Sequence, residues 1–314
     1  MAILNVLVIG GCGFTGSVLV RDLLADGHKV RVFDAQWFGS HLPSDNNLEI
    51  FQGDIRTDDL PMQGIDAVIH LANVANDPSV DLAPTLSWEV NVLATMRVVE
   101  AAISAGVKKF IYASSGSVYG VKDEPEVTED LELVPISVYN KTKMVAERVL
   151  LSYKEQIQTW IVRPATVCGL SPRMRLDLSV NLLTFQALQN KKITVFGGNQ
   201  VRPNIHVDDL SAVYRHLLAG KAPEGTYNAG FENISILSMA EEIASRTGAE
   251  IIITESNDPR SYRQSSKKLL ATGFAPSKGV FNAIQELVTA YNDGQLEDRE
   301  EWHTVKSMVS KGLA

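Results

Sequence analysis

Cysteine is nearly absent from this sequence: Cys12 and Cys168 are the only two in 314 residues, and they form no C-x-x-C pair. A disulfide framework and a thiolate zinc site are thereby excluded. The six histidines make no H-E-x-x-H or i,i+4 pairing, so no metal is expected. Basic runs stop at doublets such as Lys108-Lys109, and 29 Lys and Arg stand against 37 Asp and Glu, a net charge of −8. Binding to a phosphate backbone asks for the opposite balance, and no nucleic-acid partner is expected. No apolar run approaches the roughly 18 residues of a spanning helix. The opening residues also lack the basic segment of a secretion signal, so the expectation is a cytoplasmic protein with no membrane partner.

What the chain does have is the composition of a folded protein, 45% hydrophobic and 21% charged, enough to bury a core. Short β-branched runs at 3–9, 30–33, 48–51, 67–71, 110–113 and 160–162 read as buried strands. Amphipathic stretches lie between them, the clearest at 86–105, where Val90, Leu93, Val98 and Ala101-Ala102 keep a 3.6-residue beat and Gly106 supplies the stop. Strand and helix in alternation predict a parallel sheet with right-handed crossovers. After Arg163-Pro164 the rhythm loosens, with a helix near 176–189, a short strand at 193–196 and a helix at 207–219. The charged stretch 296–302 reads as a solvated tail.

Gly10-Gly11-Cys12-Gly13-Phe14-Thr15-Gly16 follows the first strand at once and opens a helix. That context lifts it above a chance glycine pattern: glycines let the chain turn tightly and bring a pyrophosphate onto backbone N–H groups at a helix N-terminus. A ligand-free strand-to-helix turn is the plainer alternative. Asp34, ending the second strand, is placed to accept from ribose hydroxyls and to repel a 2′-phosphate, which favours NAD over NADP. Asp54 and Ile55, after the third strand, suit the adenine or an ordinary turn. The expected fold class is therefore α/β, a Rossmann-type doubly wound parallel sheet with a smaller C-terminal α/β lobe. Residues 1–164 form the dinucleotide half, to which 203–230 return, and 165–202 with 231–314 form the substrate lobe.

The fifth strand runs into Ser114-Ser115-Gly116-Ser117-Val118-Tyr119-Gly120, and Tyr139-Asn140-Lys141-Thr142-Lys143 opens a later helix. Tyr139 and Lys143 share one face of it. An ammonium beside a phenol, with an oxidised nicotinamide as a second positive charge, should bring the tyrosine's pKa down from about 10 so that it can take a proton from an alcohol. Ser115 can hydrogen-bond the same oxygen. Alone, a Tyr-x-x-x-Lys pair arises easily by accident on a solvated helix face.

These motifs, with His70-Leu71-Ala72, Arg163-Pro164 and Arg202-Pro203-Asn204-Ile205-His206-Val207-Asp208-Asp209, resemble in order and spacing the extended short-chain dehydrogenase/reductase family, and within it the nucleotide-sugar epimerases and dehydratases. The match runs over nearly the whole chain. The resemblance implies retained NAD held by Gly10, Gly13, Phe14, Thr15, Gly16, Asp34, Asp54, Ile55, Leu71, Ala72, Pro164, Tyr139 and Lys143. It implies Tyr139 as acid/base, Lys143 on the nicotinamide ribose, Ser115 and Ser117 toward the sugar, and a nucleoside-diphosphate sugar as substrate. It further implies a homodimer joined through a four-helix bundle.

In the family the second lobe grips the nucleotide, and the resemblance carries over Asn181 and Arg202 to phosphate and Val195 and Phe196 to the base. Read bare, Asn181 is as well a helix cap, Phe196 core and Arg202 a surface cation. The family's later diphosphate arginine is missing from its usual place, leaving Arg260 or Arg263 for the role, and Arg173-Met174-Arg175 hints at a differently placed anion. Cys168 reads as packing. Where dehydratases carry an acid pair this chain has Gly116 and Ser117, so the expectation is a 4-epimerase working through a transient 4-ketone. A 4-dehydrogenase or 4-ketoreductase would use the same residues. A 4,6-dehydratase or a non-catalytic NAD sensor ranks lower.

Overall fold

The computed structural model describes residues 2–255 and 261–313. Its main sheet takes seven strands, β1 (Asn5–Ile9), β2 (Lys29–Asp34), β3 (Leu48–Gln52), β4 (Ala67–His70), β5 (Lys109–Ala113), β6 (Gln158–Pro164) and, much later, β10 (Gly225–Ala229). They lie in the order β10-β6-β5-β4-β1-β2-β3, all parallel. Parallel strands covered by helices on both faces need continuous apolar runs, and Val6, Leu7, Val8 and Ile9 are wholly buried. β3 departs from the expected buried strand: it is the sheet's edge, and Ile50 and Phe51 are exposed. Strand order reverses between β1 and β4, which opens a crevice above their C-terminal ends.

β7 (Thr166–Cys168), β9 (Val201–His206) and β11 (Glu232–Ser235) make a three-stranded sheet, and β8 (Lys192–Phe196) pairs with β12 (Glu250–Thr254). A second core, with Val180, Leu183, Ile193, Val195, Met239 and Ile284, lies beneath them. Cys168 is buried in it.

The helical path expected at 86–105 is present with an irregularity. Pro84–Trp88 and Ala94–Ser104 are joined by a π-helical turn, Glu89–Leu93. The turn carries Asn91 into the interior, where its amide donates to the Val74 carbonyl and the Thr142 hydroxyl and accepts from the Val74 N–H. One side chain thus ties the loop after β4 to the helix bearing Tyr139 and Lys143.

The stretch 296–302 is no solvated tail. Leu296 and Trp302 are buried with Phe14, Val18, Met174 and Leu176, and the Leu176 N–H donates to the Trp302 carbonyl. Helix Thr304–Ser310 follows and lays Met308 against the core of the dinucleotide half. The five charges of residues 297–301 give the stretch a solvated look, but the apolar pair that flanks them, Leu296 and Trp302, anchors it to the core.

Candidate active site

The crevice at the strand reversal is a cleft. Gly10, Gly13, Phe14, Thr15 and Gly16 line it, as do Asp34, Asp54, Ile55, Leu71 and Ala72. The glycines serve different ends. A Cβ on Gly16 would stand 2.2 Å from the Gly10 carbonyl oxygen, and one on Gly10, where φ is +83°, 2.5 Å from the Ala72 nitrogen. Those two are required by the turn's own packing. At Gly13 only one contact, 3.3 Å to the Gly10 oxygen, would arise. Gly13 caps helix Phe14–Ala25 with no side-chain acceptor and no acid in the first turn. The helix therefore presents its first N–H groups, with the positive end of its dipole, to the cleft.

Asp34 accepts the Cys12 N–H at 2.9 Å through one oxygen and the Gln36 N–H at 2.7 Å through the other. Burial nonetheless raises its pKa above the usual carboxylate value. Asp54 is held by Arg56, at 2.7 Å, whose hydrogen bonds pull its pKa down. A glycine cradle at a helix N-terminus, a carboxylate at the end of β2 and apolar Ile55 and Leu71 together suit a dinucleotide.

Ser115, Tyr139 and Lys143 do not line this cleft; they stand beside it, at the end of β5 and on helix Val138–Leu151. Tyr139 faces Ser115, and Ser115 Oγ lies 2.7 Å from Ser117 Oγ. Lys143, almost completely buried, donates to the Ala113 carbonyl at 2.8 Å. Among the protein's own groups burial dominates, pushing the Tyr139 phenol up to about 12 against smaller downward pulls from Ser115 and Arg175. Burial likewise drops Lys143 to about 7, opposed by Glu147. Pro164 ends β6 beside Ala229.

The second lobe answers the sequence reading unevenly. Asn181 is fully buried and its amide is spent within the protein, on the Gly169 N–H and on the Gly169 and Arg175 carbonyls. It ties that loop and has no amide left for a phosphate. Val195 turns into the lobe's core, and its neighbour Phe196 turns out, 61% exposed. Alternation along a strand forbids both from flanking one base. Arg202, on β9, is partly buried, and Arg260 lies outside the described residues.

Four groups escaped the sequence reading. Glu147, one turn after Lys143, holds Arg163 and Ser114. Spacing alone could have flagged it. Gln264 covers Gly116: a Cβ there would stand 2.7 Å from its Oε1. Thr304 and Met308 line the cleft from the far end of the chain, which nothing local announces.

A family model described as the NAD dependent epimerase/dehydratase family matches residues 6–230. A UDP-glucose 4-epimerase of Lactobacillus helveticus is 30% identical over 309 residues, covering 87% of this chain and 92% of that protein. UDP-glucuronic acid decarboxylase 1 of Danio rerio is 28% identical over 90% of this chain and 72% of its own length. Among solved structures, the Bacillus cereus UDP-glucuronic acid 4-epimerase in complex with UDP-glucuronic acid and NAD superposes with a TM-score of 0.82 at 27% identity, covering 92% of this chain and 99% of that one.

Proposed function

The chain belongs to the NAD dependent epimerase/dehydratase family, and we propose that it is an NAD-dependent nucleotide-sugar 4-epimerase acting through a transient 4-ketone. The observation that carries this reading is the state of the loop after Ser115. Elimination of water, or proton removal beside a ketone, needs a second acid/base at that point. Positions 116 and 117 offer none: Gly116 is sealed by Gln264, and the Ser117 hydroxyl is engaged with Ser115. Chemistry confined to one hydroxyl is what remains.

In this reading Gly13, Phe14, Thr15 and Asp34 hold NAD, with Ile55 and Leu71 on its apolar parts. NAD supplies the acceptor, and then the donor, of the C4 hydride, together with a positive ring charge. Tyr139 takes the C4 hydroxyl proton at its phenolic oxygen and later returns it. Ser115 steadies the same sugar oxygen. Lys143, fixed on Ala113, holds its amine at the base of the site. Support for NAD and for a nucleotide sugar comes from the B. cereus relative, which holds both. Phe196, Arg202 and Arg260 are assigned to the nucleotide, and a homodimer is the proposed assembly.

The experiment is to denature purified protein, identify the released nucleotide by mass, and offer fresh protein UDP-, GDP-, dTDP- and CDP-sugars. The expected result is copurified NAD and a product inverted at C4 with its carbons retained. Lasting NADH or a released ketosugar would replace the epimerase with a dehydrogenase. Loss of carbon dioxide from a uronic acid would replace it with a decarboxylase.

A further inference from the structure

Arg173 is an unusual side chain for a protein interior. It is 2% exposed, yet its Nε and one terminal nitrogen find no hydrogen-bond partner among the described residues. Its guanidinium lies 4.0 Å from the centre of the Phe38 ring and lines the dinucleotide cleft. Burying an arginine with donors unmet is costly, and such sites normally pair the charge with an anion. The acids whose charges reach it are Asp34, Asp177 and Glu301, and Arg175 opposes them. Asp177 is already claimed by Arg175 at 2.9 Å, and Asp34 by two backbone N–H groups.

The chain from 296 to 313 passes over the same place. It docks through Trp302 on Phe14 and Leu176, through the Thr304 N–H on Asp177, and through Met308 on the dinucleotide half. Thr304 and Met308, one turn apart on a single helix face, both line the cleft with Arg173.

We propose that residues 296–313 are a strap that closes the cleft over the cofactor, and that Arg173 beneath it is a cofactor-binding residue pairing with the dinucleotide's phosphates. A guanidinium presents a fork of donors that matches phosphate oxygens. A strap of this kind retains the cofactor between turnovers, as a closed epimerisation cycle requires and an exchange of oxidised for reduced cofactor does not. The inference rests on the NAD assignment above and extends it to residues outside the glycine loop.

The test is a rate of release. Holoenzyme is loaded with NAD, chased with excess unlabelled NAD, and the retained label followed after rapid gel filtration, for the wild type, Arg173→Met and Met308→Ala. Arg173→Met keeps an apolar stem on Phe38, and Met308→Ala unpins the strap. Release is expected to quicken roughly tenfold or more in each, as loss of a charged hydrogen bond or of closure implies, and the rise in Tm given by NAD should shrink. Val309→Ala, at an exposed position of the same helix, should change neither. Wild-type release rates in both variants, with native circular dichroism, would overturn the strap and leave the NAD reading standing. A wild-type protein that holds no NAD would remove both.

Discussion

Glu147 grips Arg163 through both carboxylate oxygens, at 2.9 and 2.7 Å, while one of them also accepts from the Ser114 hydroxyl. Arg163 in turn donates to the Tyr119 hydroxyl at 2.7 Å, which donates to Asn228 on β10. A single buried pair therefore fixes both ends of the serine loop and the strand that closes the sheet. Removing one member leaves the other charged and dry.

Glu147→Ala is accordingly expected to cost about 3–5 kcal/mol of stability, read as a lowered urea midpoint. A change below about 1 kcal/mol would show that water replaces the carboxylate.

Gly116→Ala should cost about 1–3 kcal/mol by overpacking, because Gln264 is itself pinned by its bond to the Arg163 carbonyl at 2.7 Å. In a Gln264→Ala background the same change should cost less than half as much, a non-additivity that a double-mutant cycle measures. Additive costs would place the strain elsewhere. Gly116→Asp should yield no water elimination.

Tyr139→Phe should leave folding unchanged and lower turnover by orders of magnitude, since the proton acceptor is lost. Near-wild-type activity would reassign the base.

Asp34→Ala should weaken NAD and relax the bias against NADP. Calorimetric titration of both nucleotides checks this, and an unchanged preference would mean that the ribose is read by other groups.

His70 is buried against Thr95, 3.0 Å from its hydroxyl, and burial with nearby Lys143 drops its pKa to about 3. Folded, it stays neutral while the unfolded chain takes up a proton near 6.5. The stability tied to neutral His70 is present above about pH 6.5 and lost as pH falls toward 3. His70→Gln should flatten that part of the acid-denaturation profile.

How much of this the sequence disclosed depended on how local each signal was. The sheet strands and the glycine turn were legible because apolar runs and short-range backbone geometry write them directly. The acidic-looking stretch around Trp302 was misread because what it packs against, Phe14 and Leu176, is remote in sequence. Asn181 and Val195 were assigned by family position, while burial and strand alternation decided their actual orientation. Gln264 could not be found at all, since only the folded chain brings it onto Gly116.

The seventh strand, β10, pairs with β6 from sixty-odd residues downstream, Gly225 opposite Trp160 and Ala229 opposite Pro164. Between them the chain builds part of the other lobe and then returns as helix Val207–Leu218, whose Leu210, Val213 and Leu217 pack in the core of the main sheet. The main sheet is thus finished by a high-contact-order closure, the slow kind, and until it happens β6 is a bare edge with unpaired backbone groups. A fragment ending at Pro164 would carry that edge permanently. It should self-associate, and the two lobes should unfold together as one cooperative unit.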